Sequence, residues 1–201
     1  MKRLVIWSLG ILVMAGITCP AFTQTFGIKA TGMYAFEFSG DLKPGEAKPE
    51  DTFGGGLAIF CAVTPYLKLD LGVDYLNPDI KDMDTAEIEL LPVTFSVRGG
   101  PNIGPVFLYA GGGIGYSYNK YSGGSSAYWI TLKDCPIYFA CLGAEISLTE
   151  YLFIQPEFRY NWLSPDLKYE KFIADQGWVP ADEDDWELDH LQFRLSLGVG
   201  F

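Results

Sequence analysis

The chain has 201 residues, a length that fits one domain. Only 19% of the residues are charged and 15% are aromatic, and the formal net charge of −11 argues against a nucleic-acid partner. Short runs that alternate apolar with polar residues recur along the chain, separated by Gly, Pro and Asn, and helical periodicity is hard to find. This pattern favours an all-β sandwich or barrel.

Residues 1–21 are predicted to be a secretory signal peptide that is removed. Lys2 and Arg3 precede an apolar run that starts at Leu4, and Cys19 and Ala21 supply the small residues before the cut. The run is too short for an ordinary membrane-spanning helix. Loss of the two cations would change the net charge of the mature chain, 22–201, from −11 to −13. No later apolar run is long enough for such a helix, so a membrane location would require strands.

Eight strands are predicted in chain order. They cover Thr25 to Phe38, Phe53 to Thr64, Tyr66 to Leu76, Thr85 to Gly99, Pro105 to Tyr118, Ile137 to Leu148, Leu152 to Trp162, and His190 to Phe201. The third and the eighth alternate most regularly. The fourth changes phase beyond Pro92, which predicts a β-bulge near Leu91 and Pro92.

The predicted connections alternate in length. Those after the second, fourth and sixth strands are short, whereas those after the first, third, fifth and seventh are longer, covering about 39–52, 77–84, 119–135 and 163–189. Short turns at one rim and long loops at the other are typical of an up-and-down barrel.

Alternation alone leaves open which face lies inside, because a soluble lipocalin-like barrel also alternates, with its apolar face inward. The position of the aromatic residues favours the opposite arrangement. The odd-numbered strands end near the long loops with aromatics on the apolar face, namely Phe36, Phe38, Tyr75, Tyr116, Tyr118, Tyr160 and Trp162. Phe26 and Phe201 mark the other rim. Two aromatic belts are typical of two membrane–water interfaces.

The polar face combines small residues with opposite charges. Its predicted lumen network consists of Lys29, Glu37, Lys68, Asp70, Asp74, Glu87, Glu89, Arg98, Glu145, Glu157, Arg159 and Arg194. A Lys or Arg on the lipid face would cost roughly 2–4 kcal/mol at the membrane midplane. An eight-stranded barrel is only wide enough for side chains to fill it. We therefore predict an eight-stranded antiparallel up-and-down transmembrane β-barrel with a plugged polar lumen.

Four segments, in this order and spacing, resemble the small eight-stranded outer-membrane barrel family of the OmpA-type transmembrane domain. They are "TPYLKLDLGVDY", "YAGGGIGYSY", "LFIQPEFRYNW" and "HLQFRLSLGVGF". The resemblance implies the outer membrane of a Gram-negative-type bacterium. It also implies that the last strand is the signal read by the barrel-insertion machinery, through Phe193, Leu195, Leu197, Val199 and Phe201. Since no peptidoglycan-binding domain follows Phe201, a wall-anchoring role is not carried over.

The expected role is structural, or one of surface interaction through the long loops. The expected partners are outer-membrane lipid, lipopolysaccharide, the barrel-insertion machinery and periplasmic chaperones, and the expected oligomeric state is a monomer. No cofactor, metal site or catalytic residue is predicted. Cys135 and Cys141 fall on one strand, too far apart for a disulfide, and Cys61 falls on an early strand, so three thiols are expected.

Three alternatives remain open. A lipid A-modifying enzyme would need a serine and a histidine in working geometry, and the single histidine, His190, has no serine two residues away. A secreted lipocalin-like carrier would place the apolar face inside. The acidic segment 163–189 could bind divalent cations, although its spacing does not match an EF-hand.

Overall fold

The computed structural model describes residues 26–39, 49–80, 87–122, 124–125, 128–173 and 177–201. These residues form thirteen β-strands. Among them, no helix is long and apolar enough to cross a membrane. The predicted signal peptide, residues 1–21, lies outside the described residues.

The strands follow the chain in this order. They are β1 (Phe26–Phe36), β2 (Thr52–Thr64), β3 (Leu67–Leu76), β4 (Glu87–Gly99), β5 (Asn102–Ile103), β6 (Val106–Ser122), β7 (Gly124–Ser125), β8 (Tyr128–Leu132), β9 (Cys135–Ser147), β10 (Leu152–Leu163), β11 (Asp166–Ile173), β12 (Gly177–Asp185) and β13 (His190–Gly200).

Eight of these strands close into the predicted antiparallel barrel. Their order is β4-β3-β2-β1-β13-β10-β9-β6, and a further pairing of β4 with β6 completes the circle. The last strand lies beside the first, with Gly27 opposite Gly200 and Phe36 opposite Leu191. The predicted fold class is therefore confirmed.

Polar and apolar side chains lie on opposite sides of the barrel wall, as the alternation predicts. On β13, Leu195 and Leu197 are 45% and 54% exposed on the outside, whereas Arg194 and Ser196 are buried inside. The aromatics predicted at the loop end are also outside and exposed, namely Tyr75, Tyr116, Tyr118, Tyr160 and Trp162. Phe26 and Phe201 are exposed at the opposite rim.

Phe38 is an exception to the predicted outer belt. Glu37 has a φ of 54°, and β1 ends at the residue before it. The chain changes direction at this point, so Phe38 is buried and stacks on the His190 ring, with centroids 4.6 Å apart. The prediction of an outward Phe38 is therefore wrong.

The bulge predicted at Leu91 and Pro92 is also wrong. The pairing of β4 with β6 keeps one register from Glu87 to Gly99. Ile88 and Leu90 lie on the buried side of β4 throughout. The apparent phase change arises because these two apolar side chains face the barrel interior, whereas the apolar residues beyond Pro92 face outward.

Two of the predicted long loops contain strands. Segments of 119–135 and 163–189 form a second four-stranded sheet at the loop end, in the order β12-β11-β8-β7. The sequence of β8, "YWITL", is rich in aromatic and β-branched residues that favour strands. The loop predictions for these segments are therefore wrong over the strand residues.

Candidate functional site in the barrel lumen

The inward side chains form three successive layers between the two ends of the barrel. We call them the loop-end layer, the central layer and the turn-end layer. The loop-end layer is apolar, the central layer is charged, and the turn-end layer combines one ion pair with aromatic rings. Only the charged residues were predicted from the sequence.

The loop-end layer is a buried hydrophobic cluster. Its members are Met33, Ala35, Phe38, Leu76, Ile80, Ile88, Leu90, Leu132, Cys135, Ile137, Leu163, Trp186 and Leu188. The layer brings residues from the ends of several barrel strands together with residues beyond them. The sequence did not predict this layer, because Ile88 and Leu90 were grouped with the apolar, outward residues of their strand.

The central layer contains two charge clusters, of which the first is the Asp74 cluster: Asp74, Glu157, Arg159 and Arg194. Both terminal nitrogens of Arg194 donate to the Asp74 carboxylate, at 2.7 and 2.9 Å. Arg159 Nη2 lies 2.9 Å from Glu157 Oε1 and Arg159 Nη1 lies 3.7 Å from Asp74 Oδ2. All four side chains are at most 8% exposed. Two cations and two anions make this cluster formally neutral.

The second is the Asp70 cluster: Lys29, Asp70 and Arg98. Arg98 donates through Nε to Asp70 Oδ2 and through Nη2 to Asp70 Oδ1, each at 2.6 Å. Lys29 Nζ lies 2.8 Å from the same Oδ1 atom. Strands β1, β3 and β4 supply these residues. Two cations here share one carboxylate.

Gln155 links the two clusters through its side-chain amide. Its Oε1 accepts from Lys29 Nζ at 3.2 Å, and its Nε2 donates to Tyr109 Oη at 2.5 Å. Tyr109 Oη in turn donates to Glu157 Oε2 at 3.0 Å. Gln155 and Tyr109 were not predicted as part of the network because they carry no charge. The alternation of β10 does place Gln155 on the inward face.

The turn-end layer surrounds a third ion pair. Lys68 Nζ lies 2.5 Å from Glu145 Oε1. The same nitrogen lies 5.5, 5.2 and 6.0 Å from the ring centroids of Phe60, Phe107 and Phe153, within the range of cation–π attraction. A cavity of about 360 Å³ is lined by these residues and by the turns at this rim.

Glycine makes room for the inward rings. A Cβ on Gly198 would meet the Phe153 ring, and a Cβ on Gly113 would meet the Phe139 ring. Gly198 on β13 and Gly113 on β6 therefore leave room for large rings from the neighbouring strands inside the narrow barrel.

Nine of the twelve charged residues predicted for the lumen network lie inside the barrel. They are Lys29, Lys68, Asp70, Asp74, Arg98, Glu145, Glu157, Arg159 and Arg194. The prediction is wrong for Glu37, Glu87 and Glu89. Glu37 and Glu87 are exposed. Glu89 lies 3.3 Å from Lys120, and the two side chains are 37% and 66% exposed. The inward positions of β4 are instead taken by Ile88 and Leu90.

His190 is buried, and its ring is held by hydrogen bonds. Nδ1 lies 2.8 Å from the Leu188 carbonyl oxygen, which can only accept. Nε2 lies 2.9 Å from Gln192 Nε2 and 3.2 Å from Asn161 Nδ2, so it is the accepting nitrogen in this network. The ring therefore serves to join β10 and β13.

The described residues contain no group of three or more side chains that could hold a metal ion. The divalent-cation alternative concerned the acidic segment 163–189, whose side chains from Asp182 to Asp185 lie outside the described ones. Cys135 and Cys141 both lie on β9, as expected, and both side chains face inward.

Residues 9–201 match the sequence model of the family described as "Outer membrane protein beta-barrel domain". The chain belongs to this family, and it is a protein of the bacterial outer membrane. In barrels of this type the short turns face the periplasm and the longer loops face the outside of the cell. No curated protein matches the chain.

Several solved structures share the fold. OprG from Pseudomonas aeruginosa has a TM-score of 0.67 and 17% identity, covering 88% of this chain and 95% of that one. Neisserial surface protein A has a TM-score of 0.58 and 14% identity, with coverages of 88% and 97%. Ail from Yersinia pestis has a TM-score of 0.52 and 14% identity, with coverages of 89% and 98%. At these identities the likeness shows the fold alone.

The Asp74 cluster generates a stability prediction. Replacing Asp74→Asn should lower the free energy of unfolding by about 3–5 kcal/mol, because Arg194 and Arg159 would lose a buried counter-charge. The matched change Glu89→Gln removes a carboxylate from an exposed pair and should cost less than about 1 kcal/mol. Urea unfolding in detergent measures both. Equal losses would contradict this account of the lumen.

Proposed function

We propose that this protein is a non-enzymatic outer-membrane barrel with a plugged lumen, which acts in the structure of the membrane or through its extracellular segments. The observation that carries the proposal is the stack of three side-chain layers across the barrel. The layers differ in chemistry, so one solute would need to pass an apolar, a charged and an aromatic barrier in turn.

The loop-end layer supports a barrier to ions and polar solutes. Leu76 and Ile88 are fully buried, and Leu90 and Leu163 are 1% exposed. Transfer of a polar group into such surroundings without a hydrogen bond is costly. At the other end, Phe60, Phe107 and Phe153 are each at most 5% exposed. These burials support a barrel filled by its own residues.

The surroundings of His190 support the proposal that the barrel is not an enzyme. Both ring nitrogens are used in contacts with the Leu188 carbonyl, Asn161 and Gln192. A general base needs a free acceptor within reach of a nucleophile and access to substrate. His190 is 1% exposed, which favours a structural role.

We propose that membrane lipid surrounds a monomeric barrel and that lipopolysaccharide contacts its loop-end rim. Outward apolar side chains on β2, β6, β10 and β13 support a complete lipid-facing surface; examples are Leu57, Ile114, Phe158 and Leu197. Lys120 follows Tyr118 on the outer face of β6 and is 66% exposed. Its positive charge could contact an anionic lipopolysaccharide headgroup.

We also propose that the outer face of β13 is the signal that the periplasmic chaperones and the insertion machinery recognise. Phe193, Leu195 and Leu197 are 38%, 45% and 54% exposed on this face, and Phe201 is 73% exposed at its end. Phe201 exchanges backbone hydrogen bonds with Phe26 at 2.6 and 3.2 Å. The backbone edge of β13 would therefore become inaccessible to the machinery once β13 pairs with β1.

The plugged lumen predicts the absence of solute leakage. Liposomes containing the folded barrel should swell in an isosmotic arabinose solution no faster than protein-free liposomes, because all three layers block the path. Liposomes with an open porin provide the positive control. Swelling that rises with the amount of the barrel would contradict the plug.

The insertion signal predicts unequal effects of two rim aromatics. Phe201→Ser should lower the fraction of assembled protein several-fold, whereas Phe26→Ser should leave it near that of the unmodified chain. Both rings are exposed at the turn end, so the pair controls for loss of interfacial burial. The assay compares folded and unfolded bands of boiled and unboiled membrane samples on gels. If the two changes lower assembly equally, the special role of β13 is refuted.

A further inference from the structure

Among the described residues, the formal charges inside the barrel are unbalanced in one place. The Asp74 cluster is formally neutral, and so is the pair of Lys68 with Glu145. In the Asp70 cluster, Lys29 and Arg98 share the single carboxylate of Asp70. Lys29, Asp70 and Arg98 are 7%, 6% and 1% exposed. The cluster therefore has a formal charge of +1 at a buried position.

The same cluster has a donor that the protein leaves unused. Arg98 uses Nε and Nη2 on Asp70, and its Nη1 has no hydrogen-bond partner among the described residues although it is buried. A guanidinium can donate five hydrogen bonds and stays protonated in proteins. An unsatisfied buried donor on a charged group is among the costliest defects in a protein interior.

Neighbouring carboxylates do not resolve this imbalance. Glu157 accepts from Tyr109, Gln155 and Arg159 and lies 3.5 Å from Arg194 Nε. The Tyr109 ring lies 4.9 Å from Arg98 Cζ. The neutral amide of Gln155, which accepts from Lys29, adds no charge. A water molecule could satisfy Nη1 but could not neutralise the cluster.

We propose that the Asp70 cluster binds one small inorganic anion, a halide such as chloride, held by Arg98 Nη1 in the field of Lys29. The ion accepts a hydrogen bond from Arg98 Nη1, and its negative charge compensates the surplus positive charge of the cluster. The inward residues beside Lys29 on the next two strands are Ala58 and Gly72, so neither carries a side chain larger than a methyl group. The apolar layer on one side and the aromatic layer on the other would trap the ion as the barrel folds.

Refolding experiments test the site on the full barrel in detergent. The protein is unfolded in urea and refolded at one pH and one ionic strength, with chloride exchanged stepwise for the bulky anion gluconate. Above the dissociation constant, the ratio of folded to unfolded protein should rise about tenfold for each tenfold increase in chloride. A ratio that does not change with chloride would overturn the proposal.

Lys29→Met separates specific binding from a general salt effect. This change keeps the apolar stem and removes the surplus cation, so it should abolish the chloride dependence. Lys120→Met removes an exposed cation and should leave the dependence intact. An equal chloride dependence in the Lys29 variant and the unmodified barrel would refute the site.

Crystals of barrel refolded in bromide give a direct reading. Anomalous scattering should show one bromide against Arg98 Nη1, and the peak should vanish in the Lys29→Met variant. Absence of a peak at Arg98 in the unmodified barrel, or a peak of equal height in the variant, would overturn the assignment.

Discussion

Hydrocarbon cannot form hydrogen bonds, and the whole structure follows from this constraint. Within the membrane, every backbone N–H and C=O must pair inside the protein, and only a helix or a closed barrel achieves this with complete pairing. The described strands meet the requirement when β13 joins β1 and β4 joins β6. Charged side chains must then lie on the inner surface, since the outer surface faces lipid.

The polar interior is assembled by contacts between distant parts of the chain. Arg194 and Asp74 are 120 positions apart, and Lys29 and Gln155 are 126 apart. Neither contact exists until the barrel has closed in the correct register. A slip of one residue would turn the inward charges toward lipid, so the buried network helps to make one register preferred. The layers on either side exclude water, which strengthens each charge interaction.

The alternation of the sequence determined the barrel and most of its inner surface, because one face of each strand must suit lipid. The prediction of inward residues failed where an apolar side chain faces the lumen or a polar one faces outward. Ile88 and Leu90 are apolar but line the lumen, so Glu87 and Glu89 were assigned inward by mistake.

Glu37 was predicted inward and Phe38 outward, and the structure has the reverse, because the sequence pattern does not show the positive φ at Glu37. Gln155 and Tyr109 were missed because the prediction of the lumen network considered only charged residues. The strands beyond the barrel rim were missed because they have no lipid-facing side, and so their sequences lack the regular alternation of the barrel strands.

Spin-label accessibility tests most directly whether lipid, and not a protein core, solvates the apolar face. Labels placed at Leu69 on β3 and Leu195 on β13 should relax strongly with oxygen, which dissolves in lipid, and weakly with a water-soluble nickel chelate. A label at the exposed Glu187 beyond the barrel should show the reverse order. Labels at Leu69 and Leu195 that were immobile and shielded from oxygen would mean that these residues pack in a protein interior, which would contradict the account.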